Sequence, residues 1–258
     1  MLYNEASYGG YKMKNLVISS WNVNKAEQCT IGQLAKTICE EDCDILFLHE
    51  FPTNKISELI DNINGASKNK YILLITQNEF KATYYITLAL IKESLSSMVS
   101  VVDVSSSNLT KDIPLKLRWL ELRILAKDNY ISVLGIHCPM YTTNLSRNKK
   151  VDIFWKNFID YAKSKELLII GDLNVNINKR NRWTNDKKEL FKGDYIDLDV
   201  EENKNTFIAE TRIDYALVHK SLYDDKCIKM IEPKYIDQNK NNLFELSDHK
   251  MISINIDI

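Results

Sequence analysis

The sequence predicts a mixed α/β protein in which two packed β-sheets are flanked by outer helices. Short apolar, β-branched runs recur along the chain, helical periodicity separates only some of them, and no Pro/Gly/Ser-rich linker divides them. The runs Leu16 to Ser19, Ile45 to Leu48, Ile72 to Ile75, Tyr84 to Ile91, Val99 to Val104, Trp119 to Leu125, Ile131 to Ile136 and Leu167 to Ile170 have the length and composition of strands. Ile213 to Val218, Lys226 to Ile231 and Met251 to Ile256 continue the series. Helices are expected over Ile31 to Glu41, Ser57 to Asn64 and Val151 to Lys163, where apolar residues recur every three or four positions. Strand and helix alternate after Asn22 and again after His137, whereas the middle strands follow one another as in antiparallel meanders. Asn144 to Lys150 and the polar, basic stretch Asn178 to Gly193 are expected as loops.

With 258 residues, 45% apolar and 27% charged, the chain suits one large globular domain, and disorder is excluded by composition. Residues 1–13 are expected as a short extension and 14–258 as the domain. Lys plus Arg (34) nearly balance Asp plus Glu (35), so binding of a polyanion would depend on local charge placement. The five Cys have neither zinc-site nor disulfide spacing and read as reduced thiols. No stretch approaches the roughly 18 apolar residues of a membrane span or the run of a signal peptide, so a cytoplasmic protein without membrane association is expected, a monomer by default.

Polar side chains gather where apolar runs end. Asp172 and Asn174 stand two apart at the end of Leu167 to Ile170, a spacing that shares one face of a strand, where a carboxylate and an amide can together orient water and hold a phosphoryl oxygen. Glu50 closes Asp44 to His49, and Asn22 and Asn24 close the first run; hard oxygen donors of this kind suit Mg²⁺. Asp214 opens one late run and Asp248-His249 precedes the last, and an imidazole oriented by a carboxylate is a recurring acid–base device. Each has a plainer structural reading alone: an Asx turn, the first exposed position of a strand, a capping histidine. Their repetition at strand ends favours a shared site.

In order, Trp21-Asn22-Val23-Asn24, Leu48-His49-Glu50, Gly135-Ile136-His137, Gly171-Asp172-Leu173-Asn174, Ile213-Asp214-Tyr215 and Ser247-Asp248-His249 resemble the endonuclease/exonuclease/phosphatase family, from about Asn15 to the C-terminus. The resemblance implies a four-layer α/β sandwich with two central mixed β-sheets flanked by helices and the site at one end. It implies Mg²⁺, with Mn²⁺ as a substitute, held by Asn22, Glu50 and Asp248. It further implies that Asp172 orients the attacking water, Asn174 contacts the phosphate, and His249, held by Asp214, stabilises the transition state.

Two departures stand out. Asn24 replaces a metal-binding Asp of the abasic-site endonucleases and would face the substrate instead. His137 matches a catalytic His of the deoxyribonuclease-like branches, yet the run Phe80 to Tyr85, where its Glu partner would lie, contains no carboxylate. Arg118 resembles the family's phosphate-contacting Arg. Arg147 and the basic, aromatic segment carrying Arg180, Arg182 and Trp183 suit a phosphate backbone and a stacked base, or else a solvated surface. The expected function is divalent-metal-dependent hydrolysis of nucleic acid, DNA in preference to RNA and by endonucleolytic cutting. The alternatives are a phosphatase or phosphodiesterase acting on inositol phosphates, nucleotides or phospholipid head groups, and an inactive binding scaffold.

Overall fold

The computed structural model describes residues 15–75, 85–103, 118–126, 129–176, 193–199, 205–224, 227–234 and 246–257. In chain order its elements are β1 (Leu16–Asn22), α1 (Ile31–Glu41), β2 (Ile45–Pro52), α2 (Ile56–Ala66), β3 (Tyr71–Leu74), β4 (Tyr85–Lys92), β5 (Val99–Val101), β6 (Trp119–Ala126), β7 (Asn129–His137), α3 (Leu145–Lys163), β8 (Leu167–Asp172), β9 (Tyr195–Asp197), β10 (Asp214–His219), β11 (Ile228–Lys234) and β12 (Met251–Ile256). The strands form two six-stranded sheets, ordered β11-β12-β1-β2-β4-β3 and β5-β6-β7-β8-β10-β9. Each contains one parallel pair, β1 with β2 across α1 and β7 with β8 across α3. The strand–helix alternation after Asn22 and after His137 is these two crossovers.

Alternation along the central strands explains the layering. Ile18, Phe47, Ala89, Leu122, Val133, Ile170, Ala216 and Ile254 point between the sheets and form their shared core. The opposite faces are apolar too: Trp21, Leu46, Leu48 and Leu90 meet α1 and α2, while Leu134, Ile136, Ile169 and Leu217 meet Phe154, Trp155 and Phe158 of α3. Two-sided burial makes these strands read as continuous apolar runs. Helices therefore cover both outer faces, giving the expected four-layer α/β sandwich. Gly135 is required where Phe47 of the facing sheet packs on its backbone, since a Cβ there would lie 2.1 Å from a ring carbon of Phe47.

One expected loop is corrected. Asn144 to Lys150 is the start of α3: the Asn144 side chain caps the helix by accepting from the Arg147 amide at 3.1 Å, and Arg147, Lys149 and Lys150 ride its exposed face. The Asn cap is a sequence signal, hidden by the run of basic residues that delays the apolar periodicity to Val151. The segment with Arg180, Arg182 and Trp183, the run Phe80 to Thr83 and the N-terminal extension lie outside the described residues. No disulfide joins any of the five cysteines, all of which are among the described residues, and no described helix is long and apolar enough to cross a membrane.

Candidate active site

Strand register assembles the site. In the second sheet His137 pairs with Asp172, and Asp172 with Asp214, so three ionisable side chains stand in one row across β7, β8 and β10. They share parity with Val133, Ile170 and Ala216, so all three point between the sheets beyond the end of the apolar core. In the first sheet Asn22 pairs with His49, which also faces inward. Strict alternation would aim the next residue, Glu50, outward. A bulge in β2 and a left-handed Glu50 backbone (φ 54°) bring its side chain into the same cavity. His249 enters from the turn before β12, its backbone bridging to Phe207.

These groups surround a cavity of about 620 Å³ lined by Asn22, Asn24, Glu50, Arg118, His137, Arg147, Asp172, Asn174, Asp248 and His249. Ten of the expected residues thus converge, and Asp214 lies directly behind His249. Lys25, Tyr85, Met140, Phe207, Thr211 and Ile213 complete the wall.

Asp172 is the hub. It is fully buried, accepts from Asn22 Nδ2 at 3.0 Å, Asn174 Nδ2 at 3.1 Å and the Asn174 amide at 2.7 Å, and has the His137 and His249 Nε2 atoms at 3.8 and 3.9 Å. Burial, then the nearby Asp214 charge, pushes its carboxyl up to about 7. His249 Nδ1 meets the Asp214 carboxylate at 3.0 and 3.3 Å. Burial acts to lower the His249 pKa, but Asp214, with Asp172 and Asp248, outweighs it and raises the imidazole to about 10, so this ring is an imidazolium at neutral pH. Asp172, Asp214 and His249 lie within 4.8 Å of one another, a grouping that can hold a metal ion, although here imidazolium and carboxylate already neutralise each other.

His137 is of the opposite kind. Burial, reinforced by the Arg118 guanidinium, drives it well below the usual histidine range. Its Nδ1 accepts from Arg118 at 3.1 Å and its Nε2 faces Glu50 Oε1 at 3.2 Å. Below it, fully buried His49 bonds Ser20 at 2.8 Å and Thr87 at 3.0 Å, and burial takes it down to about 3.

Several supporting residues escape sequence reasoning. Thr206 Oγ1 accepts from the backbone amides of Ile213 and Asp214 and so fixes the start of β10. Ser247 donates to the Asn22 carbonyl and accepts from the His249 amide, tying β1 to the imidazole's own turn. The Phe207 ring lies 4.8 Å from that of His249. Ser247 had a local signal in its Ser-x-His spacing; Thr206 and Phe207 meet the site only through the tertiary fold.

Neither the known family models nor the curated protein sequences match this chain. Solved structures do resemble it. The AP endonuclease LMAP from Leishmania major superposes with a TM-score of 0.69 at 14% identity, covering 95% of this chain and 88% of that one. D. rerio TDP2 complexed with a single-strand DNA product gives 0.61 at 14% identity over 95% and 99% of the two chains. A protein of the endonuclease/exonuclease/phosphatase family from Leptotrichia buccalis gives 0.61 at 18% identity, over 94% and 100%. This chain therefore has the four-layer sandwich fold of the endonuclease/exonuclease/phosphatase proteins.

Proposed function

We propose that the protein is a divalent-metal-dependent phosphodiesterase that hydrolyses nucleic acid, DNA in preference to RNA and by endonucleolytic cutting. The observation that carries this reading is the pairing of a His249 imidazolium, clamped by Asp214, with the buried Asp172 carboxylate across one cavity rimmed by Arg118, Arg147 and Lys25. Cations and an imidazolium suit a phosphodiester, and a buried carboxylate beside them suits the water that attacks it. A structural relative holding single-strand DNA supports nucleic acid as the ligand.

The donor set fits a hard cation. Glu50, Asn22 and Asp248 line the cavity and carry side-chain oxygens, that of Asn22 also accepting from the Asn24 amide at 2.9 Å; the Glu50 and Asp248 side chains are partly exposed, and no cysteine lines it among the described residues. Glu50, with Asn22 and Asp248, would hold Mg²⁺ or Mn²⁺. When bound, the ion would polarise the phosphoester and neutralise developing charge.

The chain's own groups do the rest. Asp172, fixed by the Asn22 and Asn174 side chains, accepts a proton from the attacking water. The His249 Nε2–H, free of the Asp214 bond at Nδ1, donates to the phosphoryl oxygen as its charge grows. Arg118 and Arg147 neutralise the flanking phosphates, and Asn24 faces the substrate.

Cutting of supercoiled plasmid, single-stranded DNA and RNA by wild type and Asp172→Ala, in Mg²⁺, Mn²⁺ or EDTA, tests this. Metal-dependent cleavage by wild type alone is expected. Three intact substrates would reject the nucleic-acid reading. The cavity volume, about 620 Å³, also lies within the range of small-ligand pockets. Release of phosphate from inositol phosphates, nucleotides or phospholipid head groups, without cleavage of polynucleotide, would transfer the reading to a small phosphoester.

A further inference from the structure

We propose that His137 is a positioning residue for Glu50 rather than the proton donor of the reaction, its ring fixed as the Nε2–H tautomer between Arg118 and Glu50. This rests on the phosphoesterase reading of the site and assigns one residue within it.

A guanidinium has five N–H donors and no acceptor, so the 3.1 Å contact from Arg118 to His137 Nδ1 requires a lone pair on Nδ1. A neutral ring then carries its one proton on Nε2, which faces Glu50 Oε1 at 3.2 Å. A doubly protonated ring would set one N–H against another at 3.1 Å in a buried place, since His137 is only 5% exposed. Backbone geometry holds the relay in register: the His137 amide donates to the Arg118 carbonyl at 2.8 Å.

Two consequences follow. A neutral imidazole that gave up its Nε2 proton to a leaving group would be left as an imidazolate, a very poor acid–base outcome in water or protein. Nε2 also lies 3.2 Å from Glu50 Oε1, so giving up its proton would remove the polar contact to the carboxylate at the moment the cavity is loaded. Conversely, Glu50 needs a fixed partner. The bulge and its φ of 54° turn Glu50 into the cavity, but its side chain is 24% exposed, and the His137 contact is what steadies it there. A polar partner that orients a metal-ligating group commonly accounts for 10- to 100-fold in metal affinity or activity.

The 258-residue chain allows a separating experiment, because Gln can donate to Glu50 and accept from Arg118 but cannot act as an acid, whereas Leu does neither. Mn²⁺ binding is followed by electron paramagnetic resonance in wild type, His137→Gln and His137→Leu. Cleavage by the same proteins is measured in parallel, and the ring nitrogens of metal-free wild type are observed by ¹⁵N NMR, with His137 assigned from its absence in His137→Gln. Expected are a protonated Nε2 with an unprotonated Nδ1, Mn²⁺ affinity and kcat in His137→Gln within about tenfold of wild type, and Mn²⁺ affinity in His137→Leu weakened by about 10- to 100-fold. A protonated Nδ1 at neutral pH would overturn the proposal. So would a His137→Gln variant that binds Mn²⁺ normally yet loses roughly 10²- to 10⁴-fold in kcat, the size of a missing general acid. Wild type that binds Mn²⁺ and shows the expected tautomer, but cleaves no phosphoester, would reject the reaction and leave the positioning role standing.

Discussion

Asp214→Asn removes the charge behind His249 while keeping a group of the same shape, and its effect can be worked from the geometry. Asp214 meets Nδ1 at 3.0 Å, where two opposite charges attract by about 5 kcal/mol at an effective dielectric of about 20. The net result of that attraction, opposed by burial and assisted by Asp172 and Asp248, is a His249 raised from near 6.5 to about 10. At about 1.4 kcal/mol per decade, this is a preference of roughly 5 kcal/mol for the imidazolium in the folded protein. Asn keeps a hydrogen bond but no charge, so about half of the preference, roughly 2–3 kcal/mol, should be lost. A group whose folded pKa is raised stabilises fully below its unfolded value, and the contribution disappears as pH rises through the folded one. The stability difference between wild type and Asp214→Asn should therefore be roughly 2–3 kcal/mol from pH 6 to about pH 8, where the variant's His249 would titrate, shrink between about pH 8 and 10, and be near zero above that. Urea unfolding in EDTA at several pH values measures it, and an NMR titration of His249 should show its pKa falling in the variant. With its pKa lowered by about two units to about 8, His249 stays an imidazolium at neutral pH, so kcat of the variant should fall away from about pH 8 upward, whereas that of wild type holds to about pH 10. A stability difference that does not change from pH 6 to pH 10, or a His249 that titrates identically in both proteins, would refute the reasoning.

Asp172, held up to about 7 by burial beside Asp214, must ionise before it can favour a cation, so Mn²⁺ binding should strengthen from pH 6 to pH 8 with proton release, seen as buffer-dependent heat in calorimetry. His49→Leu leaves the Ser20 and Thr87 hydroxyls without the imidazole that joins them, and should lower unfolding stability by about 2–3 kcal/mol in urea titration. Gly171 has φ 150°, and a Cβ there would sit 2.0 Å from the Ile136 carbonyl oxygen, so Gly171→Ala should destabilise by about 3 kcal/mol or more and lose Mn²⁺ binding by displacing the neighbouring Asp172.

The fold was legible because both faces of the central strands are buried, which makes strands such as Leu167–Asp172 nearly uninterrupted apolar runs. The site was legible for a related reason: where such a run stops at a polar residue, the strand has reached the end of the sandwich. That rule located Asn22, His137, Asp172 and Asp214. It did not foresee how Glu50 turns inward, because the bulge after Leu48 depends on pairing with β4, and no local residue marks it. β9, only three residues long, is held by pairing with β10, and buried Arg212 is held there by Asp197, a partner 15 positions away. His49 reads as a strand residue of no special role until β1 and β4 bring Ser20 and Thr87 to its two nitrogens.

The site is divided between the two sheets, and this bears on how its chemistry can fail. The second sheet contributes His137, Asp172 and Asp214; the first contributes Asn22 and Glu50, and His249 stands on the turn leading into β12. Three contacts that join the halves are Asn22 to Asp172 at 3.0 Å, His137 to Glu50 at 3.2 Å and His249 to Asp214 at 3.0 Å, each between the second sheet and the first sheet or the turn leading into it. None is covalent, and each involves a buried or half-buried polar group whose partner cannot be replaced without cost. Their alignment depends on the apolar layer beneath, where Phe47 of one sheet packs on Gly135 of the other. A change in that layer that shifts the sheets by a fraction of an ångström alters all three distances together. Core substitutions far from the cavity should accordingly depress metal binding and turnover in parallel, whereas loss of a single rim cation such as Arg147 should weaken substrate binding alone.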